Sequence, residues 1–240
     1  IDKYIAVNNG SLICATISMA NTGGNTSDCY VSINNGTVRV TGNIAMAGSN
    51  LRNYILFTGD GTLFVGGNLS GGGLTSASGG GASPPTSGTV NFNGSGNQTI
   101  GAYNFYNLTI SGTRDANNVT LINNGSIGIA GTFLPEATFT TGGYVVTNNT
   151  INFNGTGNQT IPSFNYHNLT ISGARGTNSV TFDPNGTIGI GSFLTLSATF
   201  TTGGWITTGS TIDFNGDGNQ TIPSFSYYHL AASNKNTLSN

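Results

Sequence analysis

Clustered acidic side chains would be the clearest sign of an enzyme in this chain, because cleavage of a polysaccharide needs paired carboxylates or carboxylates that hold a calcium ion. Among the eight acidic residues only Asp213 and Asp217, in the segment "DFNGD", lie close together in sequence. This pair could hold a cation, or the two could be turn residues at a polar edge. We therefore predict no catalytic residue, no bound metal and no cofactor, and we expect that the chain is not an enzyme.

The two histidines and the glycine-rich segment offer no other catalytic arrangement. His167 stands where two matching segments carry Tyr106 and Tyr228, and His229 stands where they carry asparagine. A position that accepts tyrosine or histidine is typical of a half-exposed aromatic side chain. The glycine-rich stretch at 66–85 lacks the Gly-Lys-Ser/Thr ending of a phosphate-binding loop, so it is predicted to be a flexible surface loop.

The two cysteines, Cys14 and Cys29, are predicted to form a disulfide, with two free thiols as the alternative. A zinc site is not expected, because zinc is normally held by four ligands and no histidine or third cysteine lies nearby. Disulfides persist in oxidising compartments. The predicted pair therefore favours a secreted protein.

The chain carries very little charge. It has six Lys and Arg and eight Asp and Glu in 240 residues, so that 6% of its residues are charged, against about 25% in an ordinary soluble domain. The scattered basic residues offer no patch for nucleic acid. No apolar stretch approaches the roughly 20 residues of a membrane-spanning helix, so membrane insertion is not expected. Frequent Val, Ile, Thr, Phe and Tyr favour strands.

A repeat of 61 residues organises the larger part of the chain. Thr89, Thr150 and Thr211 begin equivalent segments, and the phrases "FNGSGNQTI", "FNGTGNQTI" and "FNGDGNQTI" follow at the same spacing. No gap is needed across the two complete copies, which makes the repeat the strongest signal in the sequence. The predicted divisions are a divergent N-terminal β-solenoid or cap region at 1–87, repeat 1 at 88–149, repeat 2 at 150–210 and a truncated repeat 3 at 211–240.

Short alternating strands fill each copy. In "TVNFN" the side chains of Val90 and Phe92 are expected on one face of a strand, and those of Thr89 and Asn91 on the other. No segment has the length or the period of a helix. The predicted fold class is all-β, a parallel β-solenoid or β-helix with three turns of about 20 residues in each 61-residue copy. Tandem antiparallel β-sandwich repeats are the alternative.

In such a solenoid, residues one copy apart are expected to stack in columns, because successive turns lie about 4.8 Å apart. Like charges would repel each other at that spacing, which accounts for the sparse charge. The predicted core columns are Val90, Ile151 and Ile212, then Phe92, Phe153 and Phe214, then Ile100, Ile161 and Ile222.

The phrase "GTVNFNGSGNQTI", followed by "FYNLTISG" and "GSIGIAGTF", resembles the β-strand repeats of large secreted bacterial surface proteins of the adhesin-like and autotransporter-like kind. The resemblance covers residues 88–230 well and residues 1–87 loosely. It implies a right-handed β-helix with an extracellular structural or adhesive role. It carries over no catalytic residue.

Two functions remain open. The first is an extracellular structural subunit that polymerises head to tail with copies of itself into a filament, pilus-like fibre or sheath, because a solenoid cut in mid-repeat leaves unpaired strand edges. The predicted subunit interface consists of Ile1, Tyr4, Ile5, Val7, Tyr227 and Leu230.

The second function is the stalk or carbohydrate-binding module of a bacterial surface adhesin. Its ligand would be a cell-surface or environmental polysaccharide, since aromatic side chains can stack on sugar rings. The candidate sugar-stacking residues are Tyr106, Tyr144, Trp205 and Tyr228.

Overall fold

The computed structural model describes residues 2–20, 27–47, 52–78 and 83–233. Within these ranges the chain forms thirty β-strands of two to five residues and no helix. The strands are short because glycine and asparagine turns interrupt the alternating segments every few residues. The all-β prediction is confirmed.

The strands up to residue 121 are β1 (Lys3–Val7), β2 (Ser11–Cys14), β3 (Ile17–Ala20), β4 (Cys29–Ile33), β5 (Thr37–Val40), β6 (Ile44–Ala47), β7 (Asn53–Phe57), β8 (Thr62–Val65), β9 (Leu69–Gly71), β10 (Gly73–Thr75), β11 (Thr89–Phe92), β12 (Gln98–Ile100), β13 (Asn104–Phe105), β14 (Asn107–Ile110) and β15 (Val119–Leu121). The later strands are β16 (Ser126–Ile129), β17 (Phe133–Pro135), β18 (Tyr144–Val145), β19 (Thr150–Phe153), β20 (Gln159–Ile161), β21 (Phe164–Tyr166), β22 (Asn168–Ile171), β23 (Ala174–Gly176), β24 (Val180–Phe182), β25 (Thr187–Ile190), β26 (Leu194–Leu196), β27 (Thr199–Phe200), β28 (Trp205–Ile206), β29 (Thr211–Phe214) and β30 (His229–Ala231).

The strands pair in parallel with strands that lie one turn earlier or later in the chain. One sheet, for example, contains β2, β5, β8, β11 and β14 in that order. Paired residues in successive turns are between 18 and 27 positions apart, as for Thr89 with Asn107 and for Thr62 with Thr89. A parallel sheet made from successive turns of one chain defines a parallel β-solenoid. That prediction is confirmed, and the antiparallel sandwich is excluded.

The chain divides into two compact units. Unit 1 consists of Ile1–Leu121 and Leu134–Val145, and unit 2 consists of Ile122–Phe133 and Val146–Asn240. The boundary between the units is defined by contacts within the fold. It does not coincide with a repeat boundary, since it falls inside the predicted repeat 1 at 88–149.

Unit 1 has a core of stacked aliphatic and aromatic side chains. Besides the sheet named above, it contains the sheets β1-β4-β7-β10, β3-β6-β9 and β12-β15-β18. Leu12, Val38, Leu63, Val90 and Leu108 are partners in successive strands, and the last four are at most 2% exposed. Burial of each such side chain contributes roughly 1.5–3 kcal/mol, so the columns are the main source of stability.

Unit 2 is built in the same way. Its strands form the series β16-β19-β22-β26, β20-β24-β28, β21-β25-β29-β30 and β23-β27. Ile127, Ile151, Leu169 and Leu194 are partners in successive turns, and all four are buried. The core therefore again lies on the inner face of every strand.

Residues one 61-residue copy apart do not stack, and this corrects the predicted columns. Ile151 belongs to the sheet that contains β16, β19, β22 and β26, whereas Ile212 belongs to the sheet that contains β21, β25, β29 and β30. From Ile151 the chain completes two turns, through Leu169 and Leu194, and reaches Ile212 part of the way through a third. A copy is therefore not three equal turns, because the corners between strands differ in length.

The predicted core residues also differ from one another in burial. Eight of the nine are at most 2% exposed, whereas Ile222 is 42% exposed. Its equivalents Ile100 and Ile161 lie in β12 and β20 and are covered by the paired residues Leu121 and Phe182 of the following turn. Ile222 lies outside any strand, which corrects its assignment to the core.

Candidate functional site

The repeated segment "GNQTI" forms a side-chain clasp between neighbouring turns. In unit 1, Gln98 Nε2 donates to the carbonyl oxygens of Val65, at 2.9 Å, and of Gly67 in the preceding turn. Its Oε1 accepts the N–H of the residue four positions earlier at 3.3 Å. Gln159 and Gln220 make the same contacts in unit 2. The clasp satisfies backbone groups at a corner that the strand ladder does not reach.

A buried arginine from the following turn closes the clasp. Arg175 is 1% exposed, and its Nη2 donates to Phe153 O at 2.8 Å and to Gln159 Oε1 at 2.7 Å. Its Nη1 donates to Gly157 O at 3.1 Å. Arg114, fully buried, makes matching backbone contacts in unit 1. Desolvation lowers the pKa of both guanidinium groups, because burial penalises the charged form.

The predicted acidic pair, Asp213 and Asp217, lies in the third copy of this corner. Asp213 Oδ1 accepts the Ser233 N–H at 3.1 Å and its Oδ2 accepts the Ser233 hydroxyl at 2.6 Å. Asn152, one copy earlier, accepts a serine hydroxyl in the same way at 2.8 Å. Asp217 lines a groove together with His167. In the part of the chain that the structure describes, no group of three or more His, Cys, Asp or Glu side chains could hold a metal ion.

Each unit has a groove beside an Asn-Gly-x-Gly corner. The groove of unit 1 has a volume of about 280 Å³, and that of unit 2 about 420 Å³. The polar side chains in the groove of unit 1 are Arg39, Thr41, Asn93 and Ser95. The polar side chains in the groove of unit 2 are His167, Ser192, Asn215, Asp217, Asn219 and Gln220. The two grooves share the corner motif but differ in volume and in charge.

The candidate sugar-stacking residues have unlike surroundings. Tyr144 packs edge-on against Phe139 with ring centroids 5.1 Å apart, its hydroxyl accepts a backbone N–H at 3.2 Å, and burial raises its pKa to about 12. Trp205 contacts three phenylalanine rings at centroid distances from 5.1 to 6.1 Å. Tyr106 is half-buried, and Tyr228 is 54% exposed with its ring 4.6 Å from that of His229. Tyr144 and Trp205 thus serve the packing of their own units.

A stack of three tyrosines in unit 1 was not predicted from the sequence. The rings of Tyr4, Tyr30 and Tyr54 lie parallel, with centroids 5.0 and 4.9 Å apart. The Tyr54 hydroxyl donates to Asp28 Oδ2 at 2.9 Å, and the carboxylate of Asp28, which is 4% exposed, pairs with Arg52 at 2.9 Å. The spacings of 26 and 24 residues between the tyrosines are each the length of one turn, and this regular spacing could have indicated the stack.

Cys14 and Cys29 are free thiols, which corrects the predicted disulfide. Cys14 lies in β2 and pairs with Val40, whereas Cys29 lies in β4 and pairs with Lys3 and Asn53 in another sheet. In a solenoid, a short separation along the chain places two residues in different sheets rather than side by side. The cysteines therefore give no support for an oxidising compartment.

Two sheet edges expose residues that belong to core columns. Ile5 in β1 continues the column of Val31 and Ile55, which are 1% and 0% exposed, yet Ile5 itself is 51% exposed. Leu230 in β30 pairs with Ile212, which is 1% exposed, and is 48% exposed. Among the residues that the structure describes, no further strand pairs beyond either of these edges.

The other predicted interface residues differ in exposure. Tyr4 is 61% exposed, Val7 is buried at 8%, and Tyr227 is half-buried. Burial raises the pKa of Tyr227, and its hydroxyl donates to Pro223 O at 2.8 Å. Ile1 lies outside the described residues.

Comparison with known proteins gives no relative: no protein-family model matches the chain, and neither does any curated protein or solved structure. The resemblance seen in the sequence is therefore supported for its fold, the parallel β-solenoid, and not for membership of a family of secreted bacterial adhesins. The described residues contain no helix that is long and apolar enough to cross a membrane.

Proposed function

We propose that the chain is an extracellular structural protein whose copies join edge strand to edge strand into a filament, fibre or sheath. The observation that carries this proposal is the exposure of two core-column residues, Ile5 and Leu230, at two sheet edges. An edge strand offers unpaired N–H and C=O groups to any strand that can align with it. Burial of an apolar side chain beside such an edge further favours association.

A second copy of the chain is the partner that fits both edges. β1 and β30 are each an edge strand of a parallel sheet. β30 of one copy can therefore lie beside β1 of the next in the same parallel pairing that is found within both units. Ile5 and Leu230 would then cover each other, which contributes about 1 kcal/mol for each residue. A contact between two unlike surfaces that does not close on itself produces an open fibre.

Assembly is tested by sedimentation velocity and electron microscopy of the purified chain. We expect elongated polymers whose size increases with concentration. Ile5→Lys and Leu230→Lys should each prevent polymer formation, because each places a charge in the contact. Phe193→Lys is the control: Phe193 is 62% exposed but lies in a corner rather than in a core column. A parent chain that stays monomeric at high concentration, or equal loss of assembly in the control, would refute the proposal.

The extracellular location rests on the sequence resemblance and on the sparse charge. Labelling of intact source cells with a membrane-impermeant reagent tests this part separately. We expect the chain to be labelled before lysis. Labelling only after lysis would contradict the location and leave the assembly proposal standing.

A further inference from the structure

An arginine held over an aromatic ring borders the groove of unit 1. Arg39 in β5 pairs with Phe64 in β8 on the outer face of the sheet, and its guanidinium carbon lies 4.0 Å from the centroid of the Phe64 ring. Both side chains are half-buried. The ring restricts the orientation of the guanidinium group and stabilises its charge. In the described part of the chain the ion pair is that of Arg52 with Asp28. The charge of Arg39 is therefore not neutralised by a carboxylate there and can attract an anionic ligand.

The rest of the groove offers uncharged hydrogen-bonding groups. Thr41 and Ser95 are exposed and Asn93 is half-buried. Hydroxyl and amide side chains can both donate and accept hydrogen bonds. A fixed cation beside such groups is complementary to a ligand that carries one negative charge and several hydroxyls.

Unit 2 has a groove at the equivalent Asn-Gly-x-Gly corner, without the cation. The positions that correspond to Arg39 and Phe64, two turns and one turn before the Asn-Gly-x-Gly corner, are occupied by Asn165 and Gly189, which are partners in β21 and β25. Asp217 adds a carboxylate to the wall of that groove. The groove of unit 2 therefore differs from that of unit 1 in charge as well as in volume.

We propose that the groove of unit 1 binds a uronic acid residue of an acidic polysaccharide. Arg39 holds the sugar carboxylate through two parallel N–H···O hydrogen bonds, the geometry for which a guanidinium group is suited. Thr41, Asn93 and Ser95 hydrogen-bond the ring hydroxyls. A single cation matches one carboxylate per sugar ring, whereas a nucleic acid would require a basic patch that a chain with six Lys and Arg does not offer. The inference does not depend on the proposed self-assembly.

Calorimetric titration of the intact chain with an oligogalacturonate tests this site. We expect binding that weakens as salt is added, and no binding of the methyl-esterified oligomer, which has the same hydroxyls without the charge. Arg39→Gln should reduce the affinity at least about tenfold, because a charged hydrogen bond contributes at that level. Phe64→Leu should reduce it by a smaller factor through loss of the cation–π contact.

His167→Gln, in the groove of unit 2, is the matched control and should leave the affinity unchanged. Circular dichroism establishes that each variant is folded. Equal binding of the acidic and the esterified oligomer, unchanged affinity in Arg39→Gln, or failure of the acidic oligomer to bind would overturn the proposal. Arg39-dependent binding of a single-stranded oligonucleotide in place of the sugar would also overturn it.

Discussion

Side chains that bond to the backbone of a neighbouring turn stabilise the corners of this solenoid. Gln98 and Gln159 reach back to the preceding turn, and Arg114 and Arg175 reach back to the clasp from the following one. The acceptors are backbone and amide oxygens rather than carboxylates, so each arginine is buried as a cation without an ion-pair partner in these contacts. The Nε atoms of both arginines have no hydrogen-bond partner, so the Nη contacts must offset the cost of burial.

Arg175→Gln should lower the free energy of unfolding by about 3 kcal/mol, because glutamine is too short to reach the acceptors and the hydrogen bonds of a buried charged group are lost. Chemical denaturation followed by circular dichroism measures this change. The half-buried Arg39→Gln is the control and should lower the free energy of unfolding by no more than about 1 kcal/mol, since it removes only the contact with Phe64. Equal stability of the two variants would show that the clasp does not need its arginine.

The burial of these arginines could not be predicted from the sequence, although their repetition was visible. Sixteen residues separate Gln159 from Arg175, and the same spacing separates Gln98 from Arg114. Arginine is almost never fully buried without partners, so a repeated arginine is expected on the surface. Only the coil brings backbone oxygens from different turns close enough to accept its hydrogen bonds.

At the scale of elements, corners stack at backbone contact distance. Gly155 follows β19, and a Cβ added to it would lie 2.0 Å from Ala130 O in the preceding turn. Gly157, two residues later in the same corner, has open space at that position. Of the two glycines in this motif, packing against the preceding turn therefore requires the first, whereas the second has room for a side chain.

Gly155→Ala should destabilise the protein by about 2 kcal/mol, because the added methyl group meets a backbone carbonyl that cannot rotate away. Gly157→Ala should change stability by no more than about 0.5 kcal/mol. Thermal unfolding of the two variants side by side measures the difference. If Gly157→Ala were the more damaging change, the stacking of the corner would have to differ from the one described.

The strands themselves were predictable from local pattern. Val90 and Phe92 are buried while Thr89 and Asn91 are half-buried, as the alternation in "TVNFN" predicts. The pairing of these strands was not predictable, because every strand of this kind has an apolar face and a polar face and could pair with many others. Pairing depends on the length of the corners, which the alternation does not report.

At the scale of the whole molecule, the repeat of sequence and the turn of the solenoid are different units. Equivalent strands of successive copies, such as β19 and β29, lie in different sheets. Residues that do stack are one turn apart, as Ile151 and Leu169 are. Duplication of one copy therefore lengthens the coil by two turns and part of a third.

Deletion of residues 150–210, one complete copy, should leave a folded solenoid, because Thr211 then follows Asn149 as Thr150 did. Deletion of residues 150–167 removes the single turn from β19 to β22 and takes away Gln159 and the Phe153 carbonyl, so that Arg175 is buried without its main acceptors. We expect the shorter deletion to lower the melting temperature by about 10 °C more than the longer one. Circular dichroism melting curves provide the measurement, and a more stable short deletion would contradict this account.

The sequence by itself determined that the chain is made of short alternating strands in repeated turns, because the face that each side chain takes within a strand is a local property of the backbone. Only the tertiary structure decided which strands stack, that Cys14 and Cys29 lie in different sheets and that Arg175 is buried. These features depend on contacts between residues 16 or more positions apart, and every residue added to a corner changes where the next strand begins. A pattern with a period of two residues carries no information on that length, so the register between turns is a property of the folded coil.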